Sequence, residues 1–240
     1  MNKNSNTYQI LYSAIMVVVV GAVLAFVYMA LRPQQERNIA NDKRQQILSA
    51  AHITAPSDDD VEQTYNKYIV SDFVIDHNGN VTDSARNAAF GVNMKANVKI
   101  AADKRQLPVF KCRLDDGSVK YIIPVYGAGL WGAIWGYVAV DADGDTVYGA
   151  YFSHEGETPG LGAEIAKEPF QKQFEGKEMY KGGQFKSIGV MKAGQKPTNG
   201  EDCVDAISGG TITSRGVESM LKGCMGAYDA FFKRLQSENK

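Results

Sequence analysis

The sequence predicts an α+β chain: one N-terminal transmembrane helix, then a soluble domain of antiparallel hairpins forming a twisted sheet flanked by helices. Three observations carry this expectation. Residues 10–31 form an uncharged apolar run, strand-like segments parted by tight-turn residues follow from about Leu107, and a strongly amphipathic helix closes the chain. Hairpins with helices at either end indicate α+β rather than a βαβ repeat, and no internal repeat is visible. The expected boundaries are 1–33 for the anchor, 34–100 for a helical connector and the start of the soluble domain, and 101–240 for the remainder.

The anchor comes first. "ILYSAIMVVVVGAVLAFVYMAL" is long enough, at about 1.5 Å per residue, to span a hydrocarbon layer of roughly 30 Å. Tyr8 and Tyr12 near one end, and Tyr28 with Arg32 near the other, suit the two interfaces. The "YMALRPQQER" that follows is a poor cleavage site, so a retained anchor is favoured over a signal peptide. Lys3 precedes the run, while Arg32, Arg37, Lys43 and Arg44 follow it, a mild bias toward a cytoplasmic C-terminal side. Large domains translocate largely regardless of such charge, which leaves the orientation open on composition alone.

Pro33 is expected to end or kink the membrane helix. The sparse apolar stripe of Ile39, Ile47, Leu48 and Ala51 predicts a mostly solvated helix beyond it. "PSDDDVEQTYNKYI" reads as a capped helix start, with Ser57 or an aspartate as cap, in preference to metal binding by Asp58, Asp59 and Asp60. "PVFKCRL", an Asp-Asp-Gly turn and "VKYIIPVY" form one expected hairpin; "AIWGYVAV", "DADGD" and "TVYGAYF" form a second. Asp141, Asp143 and Asp145 resemble the opening of a calcium loop, but Phe152 stands where the closing glutamate belongs, so a tight turn is expected.

Residues 162–174 have helical spacing, 183–191 strand-like spacing, and "KAGQKPTNGED" the Gly, Pro and Asn content of a loop. Val217, Met220, Leu221, Cys224, Met225, Tyr228, Phe231, Phe232 and Leu235 mark the closing helix.

The composition narrows the function classes. With 240 residues, 24 Gly, 44% hydrophobic content and a formal net charge of −1, this is a folded protein without a basic block, and no nucleic-acid partner is expected. Cys112, Cys203 and Cys224 lack metal-ligand spacing, and His52, His77 and His154 are scattered, so no metal site is expected. Unpaired buried thiols are preferred over a Cys203–Cys224 disulfide.

The stretch that invites chemistry is "DAISGGTITSRG", residues 205–216. Ser214 is the expected N-cap of the closing helix, which puts Thr211, Ile212 and Thr213 just upstream of its N-terminus. Free N–H groups and the helix dipole favour a phosphate there. Gly209 and Gly210 let the backbone approach a bulky group. "GAGLWGAIWGY" and "HEGETPGLGAEI" place glycines around Trp131 and Leu161, leaving room for a planar ring; Trp135, within a strand, reads as core.

Here the sequence resembles a known family. "SGGTITS" is similar to the S-G-A-T-x-T/S flavinylation motif, with Asp205 at its acidic opening position. With "ETPGLGAE" and "GLWGAIWGY" it resembles the flavin-binding domain family of the C subunit of the bacterial Na+-translocating NADH:quinone oxidoreductase, shared with the G subunit of the RNF complex. "IPVYGAGLWGAIWGY" is closer to the quinone reductase form. The resemblance covers the anchor, the strand region and the closing segment, and little of residues 34–106.

The resemblance implies that 101–240 is a covalent FMN-binding domain, with one FMN joined through its phosphate to the Thr211 hydroxyl as a phosphothreonyl flavin. A magnesium-dependent flavin transferase would use FAD as donor, and Asp205 would assist attachment. Ser208, Gly209, Gly210, Ile212 and Thr213 would surround the linkage, and Trp131, Glu157, Thr158, Leu161 and Gly162 the ring. Lys192 is a candidate to pair with flavin or phosphate charge. Gly210 departs from the alanine usual there, which is expected to loosen the turn. No catalytic residue is expected in this chain beyond its role as electron carrier.

The family places the domain on the extracytoplasmic (periplasmic) side of the bacterial inner membrane, in a multi-subunit respiratory complex whose other subunits carry flavin and iron–sulfur centres. No G-x-G-x-x-G on a strand–helix unit is visible, so NADH oxidation is expected on a partner. One uncharged helix cannot form an ion path, so sodium transport belongs to the assembly. Two alternatives stand beside this expectation: an electron carrier of the RNF type, and a membrane-tethered scaffold whose hydroxyl-rich segment is only a helix cap.

Overall fold

In a computed structural model, residues 6–195, 197 and 200–238 are described; Lys3 and residues 196, 198 and 199 of the expected loop lie outside them. The chain divides into two compact units, Met1–Lys43 and Arg44–Lys240. Helix α1 spans Asn6–Ala50 and carries Pro33 inside it, so the expected break does not occur. Proline removes one N–H donor and displaces one carbonyl. The apolar part of α1 is long enough to cross a membrane.

The second unit begins with the end of α1. Ile47, Leu48 and Ala50 are fully buried, so the expected solvated helix ends as a core element. A 3-10 turn at Asp58–Asp60, where the Ser57 hydroxyl donates to Asp60 Oδ2 at 2.7 Å, leads into α2 (Val61–Tyr68).

The sheet starts earlier than the sequence suggested. Strands β1 (Ile69–Ile75) and β2 (Val81–Asp83) precede two short helices, α3 (Ala88–Gly91) and α4 (Met94–Asn97). The Asp72 carboxylate accepts N–H bonds from Asn87, Ala89 and Phe90, fixing the start of α3 to β1. The two expected hairpins follow as β3 (Leu107–Arg113) with β4 (Val119–Ala128), and β5 (Ala133–Asp141) with β6 (Val147–His154). The sheet order is β2-β1-β3-β4-β5-β6 with every pairing antiparallel. At the β5–β6 turn, Asp143 accepts N–H bonds from Asp145 and Thr146 and the Thr146 hydroxyl, so its carboxylate serves the turn.

Beyond β6 the helical stretch is broken into a 3-10 segment (Gly162–Ala166), α5 (Glu168–Gln171) and a second 3-10 turn. The strand-like 183–191 also splits. β7 (Tyr180–Lys181) pairs with β8 (Gln184–Phe185), while β9 (Gly189–Met191) runs parallel to β10 (Cys203–Asp205). The chain closes with α6 (Thr211–Met225) and α7 (Asp229–Glu238).

Alternation along the strands gives each sheet face its own core. Val109, Ile123, Val125, Val138 and Val140 face α6 and α7. Phe110, Ile122, Tyr137 and Ala139 face the end of α1 and the neighbourhood of α2 and α3. Trp135 is half-buried, and its indole N–H donates to Gln46 Oε1 at 3.1 Å, which agrees with its structural reading. All three cysteines are unpaired.

Candidate functional site

The residues singled out in the sequence come from four segments that meet at the start of α6. The helix begins at Thr211 with Gly210 as its N-cap, not at Ser214. The reason is local. The Ser214 hydroxyl accepts the Ile207 N–H at 3.0 Å, while the Ser214 N–H donates to the Gly210 carbonyl at 2.9 Å. Ser214 therefore folds the preceding turn back onto the helix instead of capping it.

This phase sorts the hydroxyls. Thr213 and Ser214 are each 1% exposed, whereas Ser208 and Thr211 are exposed. Of the three hydroxyls within the helix's first four residues, only that of Thr211 is free to react. Its backbone lies in the first turn, whose N–H groups lack intrahelical partners and favour an anion.

Against Thr213 sits a buried carboxylate. Glu157 is 4% exposed; its Oε2 accepts the Thr213 hydroxyl at 2.5 Å and its Oε1 accepts the Trp131 N–H at 2.8 Å. The Glu157 N–H donates to His154 Nδ1 at 3.1 Å. Burial works to raise the Glu157 pKa, but the Thr213 hydroxyl and the Trp131 and Leu130 N–H groups outweigh it and hold the carboxyl below the usual range.

Three glycines near the site are held to glycine by close packing. A Cβ on Gly129 would stand 2.5 Å from Glu157 Oε1, and one on Gly162 would strike both Glu157 Oε2 and Thr213 Oγ1. One on Gly216 would strike the Ala128 carbonyl, where α6 crosses the end of β4. These positions admit the carboxylate and the helix rather than opening space for a ring. Gly210 is buried, and the place of the usual alanine methyl is crowded by Ile207, with Cγ2 at 3.0 Å. The turn is thus filled, not loosened.

What faces outward is apolar. Trp131 is 69% exposed, and Leu130, Leu161 and Ile212 are exposed as well. Leu161 lies over Gly209, its Cδ2 standing 2.6 Å from where a Cβ would be. Thr158 has an exposed side chain, and its carbonyl accepts N–H bonds from Leu161 and Ala163, both at 3.1 Å, which shapes the turn that presents Leu161.

On the other side of Thr211 a cavity of about 610 Å³ is lined by Lys192, Ser208, Gly209, Thr211, Arg215 and Glu218, among others. Lys192 follows β9, and the Ala206 N–H donates to the Met191 carbonyl at 2.7 Å, so the lysine stands beside the motif. Asp205 ends β10 with an exposed side chain, and its N–H donates to Gln173 Oε1 at 2.8 Å. Sequence reasoning missed Arg215, although its position four residues after Thr211 puts it one turn further along the same helix face. It also missed Leu130, whose exposure could not be told from that of its neighbours.

This arrangement has known counterparts. Residues 129–226 match the family model described as the FMN-binding domain. The C subunit of the Na(+)-translocating NADH-quinone reductase of Haemophilus ducreyi is 30% identical across 99% of this chain and 98% of its own. The chain belongs to the family of C subunits of the Na+-translocating NADH-quinone reductase. The corresponding subunit of Neisseria meningitidis serogroup B is 31% identical over 92% of this chain and 89% of its own. Among solved structures, that of the C subunit from Parabacteroides distasonis has a TM-score of 0.75 at 44% identity, covering 85% of this chain and 96% of that one. NqrC of Shewanella oneidensis has a TM-score of 0.68 at 28% identity, covering 82% and 98%. These relatives place the chain on the quinone reductase side of the resemblance, and the antiparallel sheet with flanking helices is the fold of that family.

Proposed function

We propose that this chain is a membrane-anchored, electron-carrying subunit of the sodium-pumping NADH-quinone reductase, with one FMN joined through its phosphate to the Thr211 oxygen. The observation that carries the reading is the sorting of hydroxyls at the start of α6. Thr211 is exposed while Thr213 and Ser214 are buried and engaged. When bound, FMN supplies one-electron redox chemistry, and the chain supplies attachment, orientation and tuning.

The residues fit such a group. A phosphodiester on Thr211 keeps one negative charge, which the first-turn N–H groups of α6 stabilise. Lys192 and Arg215, in the same cavity wall, add positive charge, and Ser208 adds a hydroxyl. The exposed side chains of Trp131, Leu161 and Ile212 offer apolar cover to a flat ring, and Thr158 a polar group at the edge of that surface. Asp205, close in sequence but outside the cavity wall, serves attachment by a transferase rather than the redox chemistry.

The apolar part of α1 fixes the chain in the inner membrane, with the domain beyond it on the periplasmic side. Neighbouring subunits oxidise NADH, carry the further flavin and iron–sulfur centres and form the sodium path. In this reading 1–33 is the anchor, 34–100 connects it and opens the soluble domain, and 101–240 holds the flavin.

The test is intact-protein mass and ultraviolet fluorescence on a denaturing gel, using protein made with the flavin transferase. The native chain is expected to carry the added FMN mass and fluoresce, and Thr211→Ala to lose both. A native chain of unmodified mass would reject the covalent carrier and leave a tethered scaffold.

A further inference from the structure

The buried carboxylate calls for its own explanation. Glu157 is 4% exposed and, among the described residues, pairs with no lysine or arginine; its hydrogen-bond donors are the Thr213 hydroxyl and backbone N–H groups. An isolated buried charge is costly unless each oxygen is satisfied, and here both are. Two glycines, Gly129 and Gly162, lack the Cβ atoms that would occupy the same space. Two segments distant in sequence, the Trp131 loop and the start of α6, converge on one side chain.

Helix geometry turns this into a statement about Thr211. Successive helical residues are about 100° apart, so positions 211 and 213 lie on nearly opposite faces. Holding the Thr213 hydroxyl inward at 2.5 Å from Glu157 therefore turns Thr211 outward. The other oxygen, through the Trp131 N–H at 2.8 Å, holds the loop bearing the exposed indole against the same point.

We propose that Glu157 is a positioning residue that fixes the phase of the first turn of α6 and ties the Trp131 loop to it, so that Thr211 is presented for flavin attachment. The inference rests on the reading of Thr211 as the attachment point. Glu157 works through Thr213 and the Trp131 backbone. Its negative charge, held at the start of α6, would also oppose the arrival of an electron on a flavin attached there.

The experiment uses the full chain produced with its flavin transferase, following attachment over time by in-gel fluorescence and intact mass. Thr213→Ser keeps the hydroxyl and is expected within about twofold of the native rate, whereas Thr213→Val, losing one charge-assisted hydrogen bond, is expected about tenfold slower and Glu157→Ala, which also frees the Trp131 N–H, at least as slow. Glu157→Gln keeps the shape and serves where Glu157→Ala does not fold. It is expected to slow attachment several-fold and to raise the midpoint potential of the attached FMN, a readout that packing alone would not move. In flavin-free Thr211→Ala protein, hydrogen exchange at the Trp131 amide is expected to speed up when Glu157→Ala is added.

Native attachment rates in all four variants, or equal slowing in Thr213→Ser and Thr213→Val, would overturn the proposal while leaving the attachment point intact. A native chain that never gains the FMN mass would bring down the functional reading and this proposal together.

Discussion

Leu161 Cδ2 stands 2.6 Å from the point a Cβ on Gly209 would occupy, so a side chain on the turn after β6 rests directly on the glycine pair that opens α6. Gly209 has φ +73°, in the left-handed region that L residues adopt at a cost of about 1–2 kcal/mol. Gly209→Ala is therefore expected to lower stability by about that amount and to push Leu161 aside. The leucine end is flexible and exposed, so the steric part stays small. Urea unfolding reads the stability, and a loss well above about 3 kcal/mol would contradict this division.

Gly216→Ala should also destabilise, although it lies inside a helix. Alanine gains about 1 kcal/mol over glycine in helix propensity, but overpacking costs about 1–3 kcal/mol or more. The obstructing atom is the Ala128 backbone carbonyl, which cannot swing away as a side chain would. The clash wins, and thermal unfolding should show a lower midpoint. A rise would mean that α6 and the end of β4 separate freely.

Glu157 makes its own contribution to the acid sensitivity of the fold, with a definite sign. Its carboxyl is held below the usual range, against burial, by the Thr213 hydroxyl and the Trp131 and Leu130 N–H groups. The stabilisation from its ionised form is complete above the unfolded-state value of about 4.3 and is lost as pH falls through the lowered folded value. Glu157→Gln should flatten this part of the profile. Comparing urea midpoints of the two proteins from neutral pH down to about pH 3 isolates the effect from the other depressed carboxylates, Asp76, Asp115, Asp116 and Asp202.

Lys192 and Arg215 flank Thr211 in one cavity wall. Replacing either with alanine is expected to slow flavin attachment several-fold, and Arg215→Glu to slow it further. Added salt should shrink these differences, because exposed charges are screened within about 10 Å at 0.1 M. Insensitivity of the attachment rate to both residues would remove them from the phosphate's surroundings.

The central hairpins were legible because alternation and Asp-Gly turns occur together, as at Asp116–Gly117 between β3 and β4. β1 and β2 were not, although Asn78-Gly79 marks their turn. β2 is three residues with no buried side chain, and β1 carries Asp72 for the sake of α3. Thr211, Trp131 and Leu161 were recognisable by family pattern. The partnership of Glu157 with Thr213 was not, because the two stand 56 residues apart and neither is unusual alone. The start of α6 was misplaced because Ser214 has the composition of a cap and the geometry of a brace.

The division of hydroxyls along α6 bears on the order of maturation. A bulky substituent on the exposed Thr211 oxygen displaces no interior atom, since Thr213, Ser214 and Val217 stay packed beneath it. With the proposed flavin on Thr211, the unmodified and modified chains would share one hydrophobic interior, and attachment could take place on a finished domain rather than on a nascent peptide.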